Sequence, residues 1–258
     1  MFKRMIFCLL AAGIYVASTA VHADSNWNDI NAAAGAAKEV AVKEGWQGSV
    51  ALGYLHTTGN SNTTSLNGKA LAGYKSGNWQ DSLSLTALNA SQDNQRTAES
   101  YQATGQSDYS LTDNDYLFGM ADYLTDRFSG YDRRTTEAAG YGRRLLNSDT
   151  QQLAVELGVG ARQTRFTDET SDSGVIERFA LNYLWKFSAN SNFSENLSVE
   201  HGSENTFTQS VTALTANLAG NFALSVSYTV KHNSTVLPGF KNTDTITAVS
   251  LVYSFGNG

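Results

Sequence analysis

The sequence predicts an all-β fold, a closed antiparallel transmembrane β-barrel of about 12 strands with a short N-terminal helix. Apolar and polar residues alternate with a period of two over most of the chain, in segments of about 11–14 residues, where a tilted strand needs about 9–11 to cross a bilayer. The connections alternate between short and longer ones, as in outer-membrane barrels. A soluble sandwich is the alternative, but its strands are usually only about 5–6 residues long. The barrel is therefore favoured.

The first 23 residues have the layout of a secretory signal peptide. Lys3 and Arg4 precede an apolar run over 5–20, and residues 21–23 offer a cleavage site before Asp24. The run is too short for a membrane-spanning helix, although an uncleaved anchor is the alternative. We therefore predict three parts: a signal peptide over 1–23, a periplasmic segment over 24–45 and the barrel over 46–258.

The composition disfavours several classes of function. The 258 residues include 18 basic and 24 acidic ones, and without Lys3 and Arg4 the net charge falls from −6 to −8. This sign disfavours a nucleic-acid partner. The single cysteine, Cys8, lies in the signal peptide, so the mature chain has no disulfide and no cysteine metal site. Only 16% of residues are charged, so serine, threonine and asparagine supply most of the polarity.

The segment before the barrel is predicted to be helical. Glu39 and Lys43 form an i,i+4 pair, and Asn26 or Asn28 is a candidate N-cap. Apolar residues recur there at helical spacing, namely Ile30, Ala33, Ala34, Ala37, Val40 and Ala41.

From Trp46 onward the period is two. The clearest strand is Phe222–His232, in which aromatic and aliphatic residues alternate with Ala, Ser, Thr and Lys. The other predicted strands are 46–54, 63–76, 79–91, 99–111, 115–127, 133–146, 151–162, 175–187, 192–203, 207–220 and 247–255. Both faces of 115–127 carry large side chains, so inside and outside are left unassigned over 115–146. Aromatic residues near strand ends predict interfacial girdles, namely Tyr54, Tyr74, Trp79, Tyr109, Trp185, Phe187, Phe222, Tyr253 and Phe255.

Three segments resemble a known family. They are Trp46–Tyr54 with the following Thr58–Leu66, then Arg127–Asp132, and the closing Asp244–Phe255. Together they are similar to the family of salt-induced outer-membrane proteins, which is defined mainly as a domain of unknown function. The resemblance implies an outer-membrane barrel over about 46–255 and a link to salt stress, and it implies no catalytic residues.

Charged residues of both signs are predicted to point into the lumen. Two interpretations are open: a water-filled passage, or internal ion pairs that close a narrow barrel. The closed interpretation is favoured because the two signs are nearly balanced. The predicted lumen-facing charges are Lys69, Asp108, Glu156, Arg162, Arg178, Lys186, Glu200, Lys231 and Asp244.

Two constellations suggest chemistry, and neither is convincing. His201 and Ser203 are expected on one face of a strand, as in outer-membrane phospholipases, but Thr215 and Asn217 are only approximate candidates for the orienting group. The loop over 167–174 carries three carboxylates, which predicts a solvated loop rather than a calcium site. We therefore predict no catalytic, cofactor-binding or metal-binding residues.

These observations favour a non-enzymatic barrel of the cell outer membrane, connected with salt or envelope stress. The alternatives are a small-solute or ion channel and an outer-membrane lipid hydrolase. The expected partners are outer-membrane lipid, lipopolysaccharide and the barrel-assembly machinery. The oligomeric state cannot be predicted.

Overall fold

The described part of the chain is built almost entirely from strands. The computed structural model describes residues 44–58, 63–92 and 95–256, so the predicted signal peptide and N-terminal helix lie outside the described residues. The strands are β1 (Gly45–Thr58), β2 (Thr63–Ser76), β3 (Trp79–Gln92), β4 (Gln95–Ser110), β5 (Asp115–Asp126), β6 (Tyr131–Asn147), β7 (Gln151–Phe166), β8 (Ser171–Ser188), β9 (Ser191–Gly202), β10 (Thr206–Ala219), β11 (Phe222–Asn233) and β12 (Thr243–Gly256). A short 3₁₀ turn, Arg127–Ser129, follows β5. The predicted closed barrel of twelve strands is confirmed.

The sheet closes because its first and last strands pair. Every strand pairs antiparallel with its neighbours in sequence, and β12 pairs with β1 through twelve residue pairs from Gln47↔Gly256 to Thr58↔Thr245. A closed sheet leaves no edge strand with unpaired backbone groups. Among the described residues, no helix is long and apolar enough to cross a membrane.

The connections divide into two ends. The turn end has tight connections at 77–78, 111–114, 148–150, 189–190 and 220–221, and the opposite loop end includes the longest described connection, 234–242. The predicted strands 99–111 and 175–187 begin too late, and the predicted loop over 167–174 is wrong in part, because 95–98 belong to β4 and 171–174 to β8. Backbone hydrogen bonding continues the hairpins beyond the point where the apolar alternation fades.

The polarity of the two faces is the reverse of that in a soluble protein. Large apolar side chains such as Leu52, Leu157 and Val226 are exposed on the outer face, while many of the buried residues are polar. This face assignment also resolves β5 and β6. Tyr116 and Phe118 are buried inside the barrel, whereas Leu117 and Tyr123 at alternate positions of β5 are exposed outside.

Glycines mark two seams where strands approach closely. A Cβ on Gly140 would lie 2.1 Å from the backbone oxygen of Leu157, and one on Gly53 would lie 2.7 Å from that of Val249. The two seams, β6–β7 and β12–β1, are opposite each other around the barrel. Glycine within a strand is typical of a bend at a barrel corner.

Aromatic side chains collect at the turn end on the outer face. Ring pairs form between Trp46 and Tyr74, and between Trp79 and Tyr109. A third pair joins Phe222 to Tyr253 across β11 and β12. The predicted girdle therefore has a structural counterpart at this end.

Candidate functional site: the barrel interior

The interior contains two compartments. A central cavity of about 220 Å³ is lined by hydroxyl and amide side chains, by apolar ones such as Leu71 and Met120, and by the charged Lys69, Asp122, Arg178, Glu200 and Lys231. A vestibule of about 540 Å³ opens at the turn end.

A buried polar layer stands between the compartments, and we call it the glutamate layer. Glu156 is 1% exposed and accepts hydrogen bonds from Arg178 Nη1 (2.7 Å), Gln106 Nε2 (3.1 Å) and the Tyr116 hydroxyl (3.1 Å). The Arg144 guanidinium, which lines the vestibule, lies 4.7 Å from the centre of the Tyr116 ring. Gln106 and Arg178 line the central cavity. The side chains of Tyr116 and Glu156 therefore lie between the two compartments and separate them.

Glycines make room for this layer. A Cβ on Gly142 would lie 2.0 Å from the Tyr116 ring, and one on Gly158 would lie 2.8 Å from the ring of Phe118. The two large rings can therefore lie flat against the inner wall only where β6 and β7 carry glycine.

Three arginines form a cluster on the loop side of the cavity, and we call Arg134, Arg162 and Arg178 the arginine cluster. Arg134 is 2% exposed, and its guanidinium lies 4.0 Å from the centre of the Phe207 ring. Arg162 Nη1 lies 3.7 Å from Glu200 Oε2. Glu200 is the direct cross-strand partner of Arg178 and interacts electrostatically with all three arginines.

Opposite walls touch at the loop end through what we call the mouth contact. The Ser129 hydroxyl donates to Asp244 Oδ2 at 3.1 Å, and Lys231 Nζ lies 4.0 Å from Asp126 Oδ2. β5 and β11 are six strands apart in either direction around the barrel. The mouth contact therefore crosses the lumen and narrows it.

The structure places the charged residues that were predicted to face the lumen at several levels of the barrel. They lie at the central cavity (Lys69, Arg178, Glu200, Lys231), at the glutamate layer (Asp108, Glu156), at the loop end (Arg162, Asp244) and near the turn end of β8 (Lys186). Gln106 Nε2 donates to both Asp108 and Glu156, and Arg178 also donates to Glu156. Arg162 lies beside Glu200.

The sequence did not identify some of the interior residues. Asp122, Asp126, Arg134 and Arg144 all fall in the segment whose faces were left unassigned. Gly140 and Gly142 of β6 indicate which face of these strands points inward, because a large inward ring on one strand needs a small residue beside it on the next strand.

The constellation of His201 and Ser203 is not assembled as expected. β9 ends at Gly202, so Ser203 lies in the following connection. His201 Nδ1 lies 2.8 Å from the Thr206 hydroxyl. Thr215 is buried inside the barrel and bonds to Ser225, and Asn217 is further towards the turn end, so neither is beside His201.

The acidic loop organises itself through its own side chains. Donation from the Thr170 hydroxyl and backbone N–H holds the pKa of Asp168 below its usual range. Glu169 has a positive φ of 70°. Within 44–58, 63–92 and 95–256, no group of three potential metal ligands comes together.

Solved barrels with the same fold include porins and channels. The NanC porin matches with a TM-score of 0.55 at 9% identity, over 80% of this chain and 100% of that one. The translocator domain of autotransporter NalP from Neisseria meningitidis matches with a TM-score of 0.53 at 12% identity, over 83% of this chain and 90% of that one. An outer membrane channel from Pseudomonas putida F1 has a TM-score of 0.52 at 14% identity, over 83% of this chain and 97% of that one. These likenesses show the fold.

Sequence comparison shows the family. The uncharacterized protein YdiY of Escherichia coli (strain K12) is 34% identical over 247 residues, which cover 95% of each chain. Residues 50–255 match the family described as "Protein of unknown function, DUF481". This chain therefore belongs to the DUF481 family and has the fold of outer-membrane β-barrels.

Proposed function

We propose that the chain is a non-enzymatic β-barrel of the bacterial outer membrane, exported by a signal peptide over 1–23 and with both termini on the periplasmic side. The observation that carries this proposal is the reversed polarity of a closed sheet. Soluble monomers rarely expose large contiguous apolar surfaces, and lipid removes this surface from water. The aromatic residues at the turn end supply one interfacial girdle.

Membrane fractionation combined with a heat-modifiability gel tests this location. We expect the protein in the outer-membrane fraction, extractable only with detergent, and we expect the unboiled form to migrate differently from the boiled one. A protein that stays soluble without detergent contradicts the proposal. Outer-membrane lipid, lipopolysaccharide and the barrel-assembly machinery are the partners that this location implies.

The interior supports a barrel without a steady open pore. The glutamate layer obstructs the lumen towards the turn end, and the mouth contact crosses it at the loop end. We therefore expect wild-type protein in planar bilayers to give little steady current. Regular ohmic steps from the wild-type protein would show that the lumen is open and that this inference is wrong.

A regulated small-solute channel is the second candidate. It is favoured by the presence of two compartments in series, both lined in part by polar and charged side chains, and two barrels of the same fold are described as a porin and an outer membrane channel. Two obstructions in series predict that removing either one alone leaves the path closed.

Three variants test the series arrangement in a liposome-swelling assay. One is Tyr116→Ser, one is Lys231→Ser with Asp244→Ala, which breaks both interactions of the mouth contact, and the third combines all of these changes. We expect only the combined variant to admit small solutes, provided that each remains folded by heat modifiability. The matched control is Asp115→Asn with Arg143→Gln, which removes a 3.4 Å ion pair from the outer surface. Full permeability of a single-site variant contradicts two serial obstructions.

Two further assays address stress and catalysis. The link to salt or envelope stress rests on the family resemblance, and a deletion strain compared with its complemented parent in high salt tests it. We expect no lipid hydrolysis from purified protein. Hydrolysis by the wild type that disappears in Ser203→Ala would overturn the non-enzymatic proposal.

A further inference from the structure

The arginine cluster has more buried donors than its surroundings satisfy. Four nitrogen atoms, Arg134 Nε and Nη1, Arg162 Nη1 and Arg178 Nε, are buried without a hydrogen-bond partner among the described residues. Arginine stays protonated in proteins, so it cannot relieve this by losing its charge. A buried polar group without a partner costs about 1–3 kcal/mol, and a charged one costs more. The cluster therefore needs an acceptor that is not one of its present contacts.

The nearby carboxylates do not supply that acceptor. Glu156 is already engaged by Arg178 Nη1, Gln106 and Tyr116. Glu200 Oε2 is 3.7 Å from Arg162 Nη1, which is too long for a hydrogen bond, and it also lacks a partner. One unpartnered carboxylate oxygen is fewer than the four unpartnered nitrogens, so the cluster still has more donors than nearby acceptors.

The position of Asp122 explains why it does not fill this role. Its Oδ2 accepts hydrogen bonds from Gln102 Nε2 at 2.8 Å and from the Thr104 hydroxyl at 2.7 Å. These three residues line the central cavity from β4 and β5, with their polar groups directed to one another.

Packing fixes the direction of the free donors. The Arg134 guanidinium lies over Phe207 at 4.0 Å and over Tyr131 at 4.9 Å, so aromatic rings cover its planar faces and leave the N–H edge. Arg162 Nη2 donates to the backbone oxygen of Asn205 at 2.6 Å, which holds that side chain beneath the loops. Arginines held in this way are preorganised for an acceptor with two or more oxygens.

The cavity beside the cluster offers space and a second contact. Arg178 and Glu200 line it on one side, and Asn67 and Lys69 line it on another. Asn67 Oδ1 is buried and has no hydrogen-bond partner, so it can accept from a hydroxyl or amine. The cavity volume of about 220 Å³ is smaller than that of typical ligand pockets, which is about 300–1,000 Å³, so the cavity suits a small solute.

We propose that the arginine cluster and the central cavity form a binding site for a small solute that carries a carboxylate or phosphate group. The anionic oxygens accept from Arg178, the arginine of the cluster that lines the cavity, and from the free N–H groups of Arg134 and Arg162, which contact the cavity-lining Phe207 and Glu200. A hydroxyl or amine of the same solute donates to Asn67 Oδ1. The site rests on the proposed barrel but does not require that the barrel conducts.

Equilibrium dialysis of the refolded barrel in detergent at low ionic strength tests the site. The probes are inorganic phosphate, acetate and lactate, of which lactate adds a hydroxyl to a carboxylate. We expect saturable binding of phosphate or of the carboxylates, with lactate bound more tightly than acetate. Arg134→Met and Arg162→Met should each weaken binding at least tenfold. Arg134→Lys keeps the charge but loses the planar set of N–H donors of the guanidinium, so its binding affinity should lie between those of Arg134→Met and the wild type.

The matched control is Arg165→Gln, which removes an exposed arginine from the same strand as Arg162. Every variant is first checked for folding by heat modifiability. Absence of saturable binding by the folded wild type means that water satisfies the arginines, and this overturns the proposal. Equal loss of binding in Arg165→Gln overturns it as well. Fractionation and conductance are independent readouts, so failure of the site is distinguishable from failure of the proposed barrel function.

Discussion

Gly142→Ala tests whether the aromatic ring of the glutamate layer requires glycine on the neighbouring strand. The new Cβ would lie 2.0 Å from the ring of Tyr116, which is completely buried. The ring must therefore move. Movement breaks the 3.1 Å hydrogen bond from its hydroxyl to Glu156 and the stacking with Arg144 at 4.7 Å.

The expected cost can be worked from these contacts. Overpacking of a buried site costs about 1–3 kcal/mol. A lost hydrogen bond to a buried partner adds about 1–3 kcal/mol, so Gly142→Ala should lower the free energy of unfolding by about 2–6 kcal/mol. Gly119→Ala is the matched control, because a Cβ there meets nothing within 4 Å. It should be neutral or stabilising by about 0.5–1 kcal/mol, since glycine weakens a strand interior relative to alanine.

The assay is urea unfolding of the barrel refolded into vesicles, followed by tryptophan fluorescence. Repeating Gly142→Ala in a Tyr116→Ala background completes a double-mutant cycle, in which the cost of the added methyl group should largely disappear. A cost below about 0.5 kcal/mol, or an unchanged cost without the tyrosine ring, refutes the close-approach reasoning.

The remaining predictions concern a buried charge, the lipid-facing surface and a strained loop residue. Glu156→Gln removes the carboxylate that accepts the 2.7 Å hydrogen bond from Arg178 Nη1 and should cost about 3–5 kcal/mol in urea unfolding, with most of the loss recovered by adding Arg178→Met; a cost under about 1 kcal/mol argues against the pair. Leu52→Arg should cost about 2–4 kcal/mol when the barrel folds into vesicles, against about 0–1 kcal/mol for Leu145→Arg near the turn end, and equal costs contradict a membrane-embedded band. Glu169→Gly should stabilise the loop by up to about 1 kcal/mol, because φ is 70° at Glu169; slower amide hydrogen exchange would show this, whereas faster exchange would contradict it.

The strands were predictable because alternation with a period of two is a local property of the chain. All twelve predicted strands overlap observed ones. Strand ends were less predictable, since β4 and β8 continue as hydrogen-bonded hairpins where their side chains become polar on both faces. Pairing of backbone groups does not depend on which side chains follow.

Contacts across the lumen were beyond the reach of periodicity. The Ser129–Asp244 hydrogen bond joins residues 115 positions apart, and nothing in either local pattern indicates the other. Arg134 was missed because the faces of its segment depended on whether Tyr116 points inward. That direction is set by Gly142 on the neighbouring strand, so it is a property of the pair of strands.

The pairing of β1 with β12 has a consequence for how the barrel forms. Every other strand pair joins neighbours in sequence, whereas this seam joins strands that are almost the whole barrel apart along the chain. Hairpins between sequence neighbours can form early, and long-range pairing is intrinsically slow. We therefore expect closure of this seam to be the slow step of folding. A substitution such as Gly48→Ala, which brings a Cβ within 2.7 Å of the Phe255 ring, acts on the rate at which the barrel closes as well as on its final stability.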